Sequence, residues 1–76
     1  MIEPIYEIHE TGSGHVIVRD DVVKVIQYIH KIHECSLLTA VEGKRVKIIM
    51  TDATGRYLLV IKDGRTHFEK LPDANA

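Results

Sequence analysis

The chain has few of the residues that hold many small proteins together: one cysteine, two prolines and no tryptophan among 76 residues. A single cysteine, Cys35, cannot form a disulfide within the chain, and a lone thiol is typical of a reducing, cytoplasmic location. Residues 1–4 carry neither the basic nor the apolar stretch of a secretory signal. No apolar run approaches the roughly 20 residues that a membrane-spanning helix needs. We therefore expect a soluble, cytoplasmic protein with no membrane partner.

The length of the chain limits both its domain count and its core. It allows a single domain, which we place at residues 1–71, followed by a flexible C-terminal tail over residues 72–76. A chain of this size buries only about 60% of the surface that its unfolded form exposes. Small folds with such marginal cores often depend on disulfides, a metal or oligomerisation. Because disulfides are excluded, self-association and metal binding are the remaining ways to stabilise such a core.

The N-terminal part of the chain has the pattern of a β-hairpin. Apolar segments at residues 5–9 and 15–19 flank a loop at residues 10–14 that is rich in glycine and hydroxyl side chains. A five-residue loop gives a register that places one set of apolar side chains on a single face: Tyr6, Ile8, Val16 and Val18.

An amphipathic helix follows this hairpin. Asp20 and Asp21 can cap its free backbone amides and place negative charge at the positive end of the helix dipole. Apolar residues then recur at helical spacing, and the helix is predicted to end near residues 34–36. The face expected to pack on a sheet consists of Val22, Val25, Ile26, Ile29 and His33. Ile26 and Ile29 are expected to be among the most buried residues.

The rest of the chain reads as strands, at residues 37–41, 46–51, 56–62 and 65–71. Asp63-Gly64 is a strong signal for a two-residue hairpin turn, and a second turn is predicted at residues 52–55. Both turns independently give the same apolar face, which is where the helix should dock: Val46, Ile48, Met50, Tyr57, Leu59, Ile61, Thr66 and Phe68. The sequence thus predicts an α+β fold with one amphipathic helix packed on an antiparallel sheet. Its order is a β-hairpin, the helix and a β-meander of three to four strands.

The opposite face of the meander has an apolar centre within a charged rim. The centre consists of Ile49, Leu58 and Val60, and the rim includes Lys47, Lys62 and Arg65. A solvated sheet face is normally polar, whereas an apolar centre with a charged rim is typical of a protein interface. We predict that a second copy of the chain, or another protein, binds these residues. The leading expectation is a small, non-catalytic interaction or regulatory module, such as an inhibitor or adaptor, that forms a homodimer.

A nucleic-acid-binding regulator is the alternative function. Basic side chains concentrate in the C-terminal half although the formal net charge is −1. The candidate contact residues are Lys44, Arg45, Lys47, Arg56, Lys62 and Arg65. The predicted outward face has no aromatic ring on which bases could stack, and the near-neutral charge weakens attraction to phosphates. This function is therefore placed second.

A His-rich metal-binding protein is the third hypothesis. His30 and His33 lie three residues apart on the predicted helix and Cys35 follows, and imidazole and thiolate groups are suitable zinc ligands. Their spacing matches no structural-zinc pattern, so we expect no cofactor and keep zinc as the alternative. Catalysis is not expected, because no pair of carboxylates lies in an apolar setting that suits acid–base chemistry.

Overall fold

The structure is a computed structural model that describes residues 3–72. Its elements are β1 (Ile5–Glu10), β2 (Val16–Arg19), α1 (Val22–His33), α2 (Leu37–Glu42), β3 (Val46–Asp52), β4 (Gly55–Lys62) and β5 (Arg65–Lys70). The strands form one antiparallel five-stranded sheet in the order β2-β1-β3-β4-β5, and helices pack on it. The α+β class is therefore confirmed. Apart from Pro72, the predicted tail lies outside the described residues.

Helix α1 has the predicted ends, but two residues of its predicted packing face, Val22 and Ile26, are exposed. The Val23 amide donates to Asp21 Oδ1 at 2.7 Å, which caps the first turn, and Glu34 ends the helix with a φ of 54°. Val25 and Ile29 are completely buried, whereas Ile26 is 47% exposed. Val25 and Ile26 are adjacent and both apolar, so the sequence is compatible with two overlapping apolar faces of the helix. In the structure, the face that contains Val25 and Ile29 packs on the sheet.

Helix α2 replaces the strand predicted at residues 37–41, so that prediction is wrong. The Ser36 hydroxyl accepts a hydrogen bond from the Thr39 amide at 3.2 Å and caps the helix N-terminus. Ala40 is completely buried, which lets this short helix approach the sheet closely. A segment of about six residues is too short for the spacing of its apolar side chains to distinguish a helix from a strand. The meander therefore has three strands.

The cap of α2 gives a direct stability test. Ser36→Ala should lower the free energy of unfolding by about 0.5–2 kcal/mol, because the Thr39 amide loses its acceptor. Ser36→Asp is the matched control, since aspartate also accepts at this position and should retain the wild-type value. Urea denaturation followed by circular dichroism measures both. Equal stability of Ser36→Ala and wild type would contradict a role for this cap.

The N-terminal hairpin forms, but its predicted register is wrong by one residue. Ile8 pairs with Ile17 rather than with Val16. Gly14 adopts a φ of 73° and donates to the Glu10 carbonyl at 2.8 Å, which closes a shorter loop than predicted. The shift turns Ile17 toward the helices and places Val16 and Val18 on the other face. Three consecutive apolar residues are compatible with either register, so the pattern could not decide.

The C-terminal hairpins follow the predicted registers over most of their length. Asp63 and Gly64 both have positive φ, as a type I′ turn requires, and Leu59 pairs with Phe68. Strands β3 and β4 pair from Asp52–Gly55 to Ile49–Leu58. The predicted continuation, Ile48 with Leu59 and Val46 with Ile61, is not part of this ladder.

The core lies between the sheet and the helices, with α1 on β1 and β2 and α2 on β3 and β4. Its buried residues are Ile8, Val25, Ile29, Ala40, Val46, Ile48 and Leu59. Thr66 and Phe68 share the predicted inner face but are exposed, because β5 lies at the sheet edge beyond the helices. The part of the chain that the structure describes has no helix long and apolar enough to span a membrane.

Candidate interaction surface

The side of the sheet away from the helices is called the open face here. Side chains alternate between the two faces along each strand, and Ile8, Ile48 and Leu59 identify the side that the helices cover. The open face therefore carries Ile5, Glu7, His9, Val16, Val18, Lys47, Ile49, Thr51, Arg56, Leu58, Val60, Lys62, Arg65, His67 and Glu69. Within residues 3–72, both helices lie on the other side.

The strand registers align much of the open face in two rows that run across the sheet. The glutamate row consists of Val18, Glu7, Ile49, Leu58 and Glu69, each paired with the next. The histidine row consists of Val16, His9, Lys47, Val60 and His67. This second row is interrupted between Lys47 and Val60, where the β3–β4 ladder has ended. The rows are one pleat apart along every strand.

The structure places all six predicted interface residues on the open face. The apolar centre, Ile49, Leu58 and Val60, is half-buried, and the rim residues Lys47, Lys62 and Arg65 are exposed. The face is also more apolar than predicted. Val16 and Val18 add side chains that are 47% and 57% exposed, and Ile5 is exposed as well. The predicted register had placed these two valines on the same face as Tyr6 and Ile8, so they were not expected on the open face.

Hydrogen-bonded and charged pairs join side chains on the open face. Glu7 Oε1 lies 2.9 Å from His9 Nε2, and Glu7 Oε2 lies 3.8 Å from Arg56 Nη2. Near the β5 edge, Glu69 Oε1 lies 2.9 Å from Lys62 Nζ. The Lys62–Glu69 pair is exposed and adds little stability by itself, whereas Glu7 and His9 are partly buried.

The six candidate nucleic-acid contacts are divided between two places. Four of them lie on the open face: Lys47, Arg56, Lys62 and Arg65. On that face, Arg56 contacts Glu7 and Lys62 contacts Glu69. Lys44 and Arg45 lie instead in the α2–β3 loop.

The Arg45 side chain points back toward the end of α1. Its Nη1 atom lies 3.5 Å from the His33 carbonyl oxygen and 3.7 Å from Cys35 Sγ. None of the chain's four tyrosine and phenylalanine residues lies on the open face, where His9 and His67 are the only ring side chains among the described residues.

The three candidate metal ligands are not brought together as a site. His30 is exposed on α1, His33 binds a glutamate, and Cys35 is half-buried near Arg45. Residues 3–72 contain no group of three or more histidine, cysteine, aspartate or glutamate side chains that could hold a metal ion.

Glu10, His33 and Tyr28 form a polar cluster that sequence analysis missed. Glu10 Oε2 lies 2.7 Å from His33 Nε2 and accepts a hydrogen bond from the Tyr28 hydroxyl at 3.3 Å. The Glu10 and His33 side chains are only 11% and 17% exposed. Burial, supported by the Glu10 charge, raises the pKa of Tyr28. The cluster joins the end of β1 to the last turns of α1.

Glu10 could have been recognised from its strand parity. Tyr6 and Ile8 face the helices, and Glu10 follows at the same two-residue spacing. Its assignment to the loop in the sequence analysis removed it from that series.

A groove of about 710 Å³ opens where the β3–β4 ladder ends. Its lining includes Val41, Lys44, Val46, Lys47, Leu59 and Ile61. The walls are mainly apolar, and the groove reaches both the helix side and the open face. It accounts for the interruption of the histidine row.

Neither the open face nor the groove contains a recognised binding motif. Their distinguishing properties are shape, apolar character and charge. Comparison of the chain with protein-family models, with curated proteins and with solved structures finds no match in any of the three.

Proposed function

We propose that the chain is a non-catalytic protein–protein interaction module that forms a homodimer through the open face. The observation that carries this proposal is the uncovered apolar surface of the sheet. Val16, Val18 and Ile5 are exposed on the strands β2 and β1 at one side of the sheet, and Leu58 and Val60 are half-buried on β4. Full burial of one such aliphatic side chain is worth about 1.5–3 kcal/mol, so covering several of them would contribute favourably to docking against the cost of association.

The charged residues around this centre support a protein partner over nucleic acid. Glu7 and Glu69 lie among the basic side chains and would repel a phosphate backbone. Protein surfaces that bind nucleic acid are much more positively charged than surfaces that bind other proteins. A mixed-sign rim around an apolar centre instead matches the organisation of protein interfaces. An inhibitor or adaptor would use such a surface by occupying its target.

The proposal is tested by placing charge in the apolar centre. Leu58→Lys combined with Val60→Lys should give a folded protein with half the solution mass of wild type. Size-exclusion chromatography with light scattering measures the mass, and circular dichroism measures folding. Val16→Lys with Val18→Lys should act in the same way from the exposed edge strand β2, where folding is less affected.

The matched control introduces the same change away from the open face. Val23 and Ile32 are exposed apolar residues on α1, so Val23→Lys with Ile32→Lys should keep the wild-type mass. A wild-type chain that stays monomeric up to high concentration would overturn the homodimer. Equal loss of association in the control variant would place the interface elsewhere.

A further inference from the structure

The two rows of the open face complement each other position by position. Reading across the sheet from β2 to β5, valine corresponds to valine, and each glutamate corresponds to a histidine. Leu58 corresponds to Val60, and only Ile49 corresponds to a charged residue, Lys47. A surface that complements itself in this way can bind a second copy of the same chain.

Resting on the proposed homodimer, we infer that the second copy docks about a twofold axis lying in the plane of the open face. The axis runs between the two rows, perpendicular to the strands. Each strand then faces the same strand of the second copy in the opposite direction. The glutamate row of one copy lies over the histidine row of the other.

This arrangement brings apolar groups together at the edge and near the centre of the sheet. Val18 faces Val16 of the second copy, and Leu58 faces Val60. Lys47 faces Ile49 of the second copy, where its aliphatic stem can cover the isoleucine while its ammonium group reaches solvent.

The same axis places each acid opposite an imidazole. Glu7 faces His9 of the second copy, and Glu69 faces His67. Within one copy, His9 already contacts Glu7 and pairs across the strands with Lys47. Glu7 and His9 of the two copies would therefore form a cluster in which carboxylates and imidazoles alternate. His67 lies on β5 between Arg65 and Glu69, opposite Val60 and near Lys62.

The alternative axis, which runs along the strands through β3, fits the charge pattern poorly. It places β2 over β5, so that Val16 and Val18 face His67 and Glu69. It also places β1 over β4, so that Glu7 faces the apolar centre. Charged groups buried against apolar side chains lose hydration without gaining a partner. Within the two rows, the distribution of charge favours the perpendicular axis. Outside the rows, this axis places Lys62 opposite Arg56 of the second copy, and each of these cations contacts a glutamate of its own copy.

The size of the face is small for a stable dimer. Five strands with about six residues each project an area of about 500 Å² from standard strand spacings. A specific interface buries on the order of 800 Å² of corrugated accessible surface on each partner. The open face is therefore near the low end for a specific dimer, and association should be measured over a wide concentration range.

Cross-linking between single-cysteine chains distinguishes the two axes. In a Cys35→Ser background, a Val16→Cys chain is mixed with a Val18→Cys chain to test for contact between the two β2 strands. The Val16→Cys chain is separately mixed with a His67→Cys chain to test for contact between β2 and β5. A short bifunctional maleimide joins thiols that are close, and mass spectrometry identifies the joined positions.

The perpendicular axis predicts that the first mixture cross-links in clear excess over the second. Preferential joining of position 16 to position 67 would overturn this axis and leave a dimer through the open face standing. A wild-type dimer that cross-links in neither mixture would overturn both face arrangements. A protein that is monomeric throughout would overturn the proposed function itself.

A charge exchange tests the acid–imidazole pairing on β5. His67→Glu alone places a carboxylate opposite Glu69 of the second copy and should weaken association several-fold. Combining His67→Glu with Glu69→His restores opposite partners and should recover wild-type association. Both positions are exposed at the sheet edge, so folding should be unchanged. Equal dissociation constants for the single and the exchanged variants would contradict the pairing.

Discussion

Ile29→Ala is expected to lower the free energy of unfolding by about 2–5 kcal/mol. Ile29 is completely buried between α1 and the sheet, where it belongs to the same core cluster as Ile8 and Ile48. Truncation removes buried methyl and methylene groups and leaves a cavity that a small core can fill only in part. Because natural domains are stable by only about 5–15 kcal/mol, the loss is a large share of the total. Urea denaturation followed by circular dichroism measures it.

Ile26→Ala is the matched control, because it makes the same chemical change three residues earlier on the same helix. Ile26 is 47% exposed, so little buried surface is lost. Alanine also has a higher helix propensity than isoleucine, which offsets part of the remaining cost. The expected change is within about 1 kcal/mol of wild type. Similar losses at both positions would show that α1 is rotated relative to the arrangement described above.

Glu10→Ala has the second largest expected effect, a loss of about 1–3 kcal/mol in the free energy of unfolding. The substitution removes the acceptor for the Tyr28 hydroxyl and the partner of the His33 ring in a site mostly shielded from water. Glu10→Gln should lose less, since its amide oxygen can still accept. The same denaturation experiment compares the variants. Equal stability of Glu10→Ala and wild type would contradict a stabilising role for the cluster.

The titration of Tyr28 gives an independent readout of this cluster. Burial, followed by the Glu10 charge, holds the pKa of Tyr28 above its usual value. The folded state therefore favours the protonated phenol, and this contribution to stability is lost as the pH rises above about 10, the usual pKa of tyrosine. Glu10→Gln should lower the pKa of Tyr28 and reduce that loss. Nuclear magnetic resonance of the Tyr28 ring as a function of pH measures the change, and an identical titration curve would contradict it.

The parts of the fold that the sequence predicted correctly depend on strong local signals. Asp63-Gly64 permits a very restricted turn, and that turn fixes the β4–β5 register without help from the rest of the chain. The Asp21 cap and the apolar spacing after it determine the bounds of α1 in the same way. Each of these signals involves only a few neighbouring residues, so it can be recognised in the sequence without knowledge of the tertiary contacts.

The parts that could not be predicted depend on choices between nearly equivalent local patterns. Residues 16–18 are all apolar, and the conformation of Gly14 decides which of them faces the helices. Helix α2 depends on the Ser36 cap and on the close approach of Ala40 to the sheet. Such contacts exist only in the folded chain.

The candidate site shows the same division. Ile49, Leu58 and Val60 share a face because strand alternation and two local turns require it. The His33 ring instead contacts Glu10, which is distant in sequence, whereas His30 is exposed on α1. Sequence spacing alone could not show which partner that ring would choose.

The exposed strand β5 bears on how far assembly can proceed. An edge strand can add another chain by backbone pairing, and repeated addition of this kind has no natural end. Basic, acidic and imidazole groups occupy most of β5, from Arg65 to Lys70, and such charged edges disfavour strand addition. Contact through the sheet face about a twofold axis would instead bury the apolar surfaces of both copies against each other. In the proposed twofold dimer, the apolar surfaces of both copies, including the valines of the other edge strand β2, would be covered in a closed pair rather than a growing fibre.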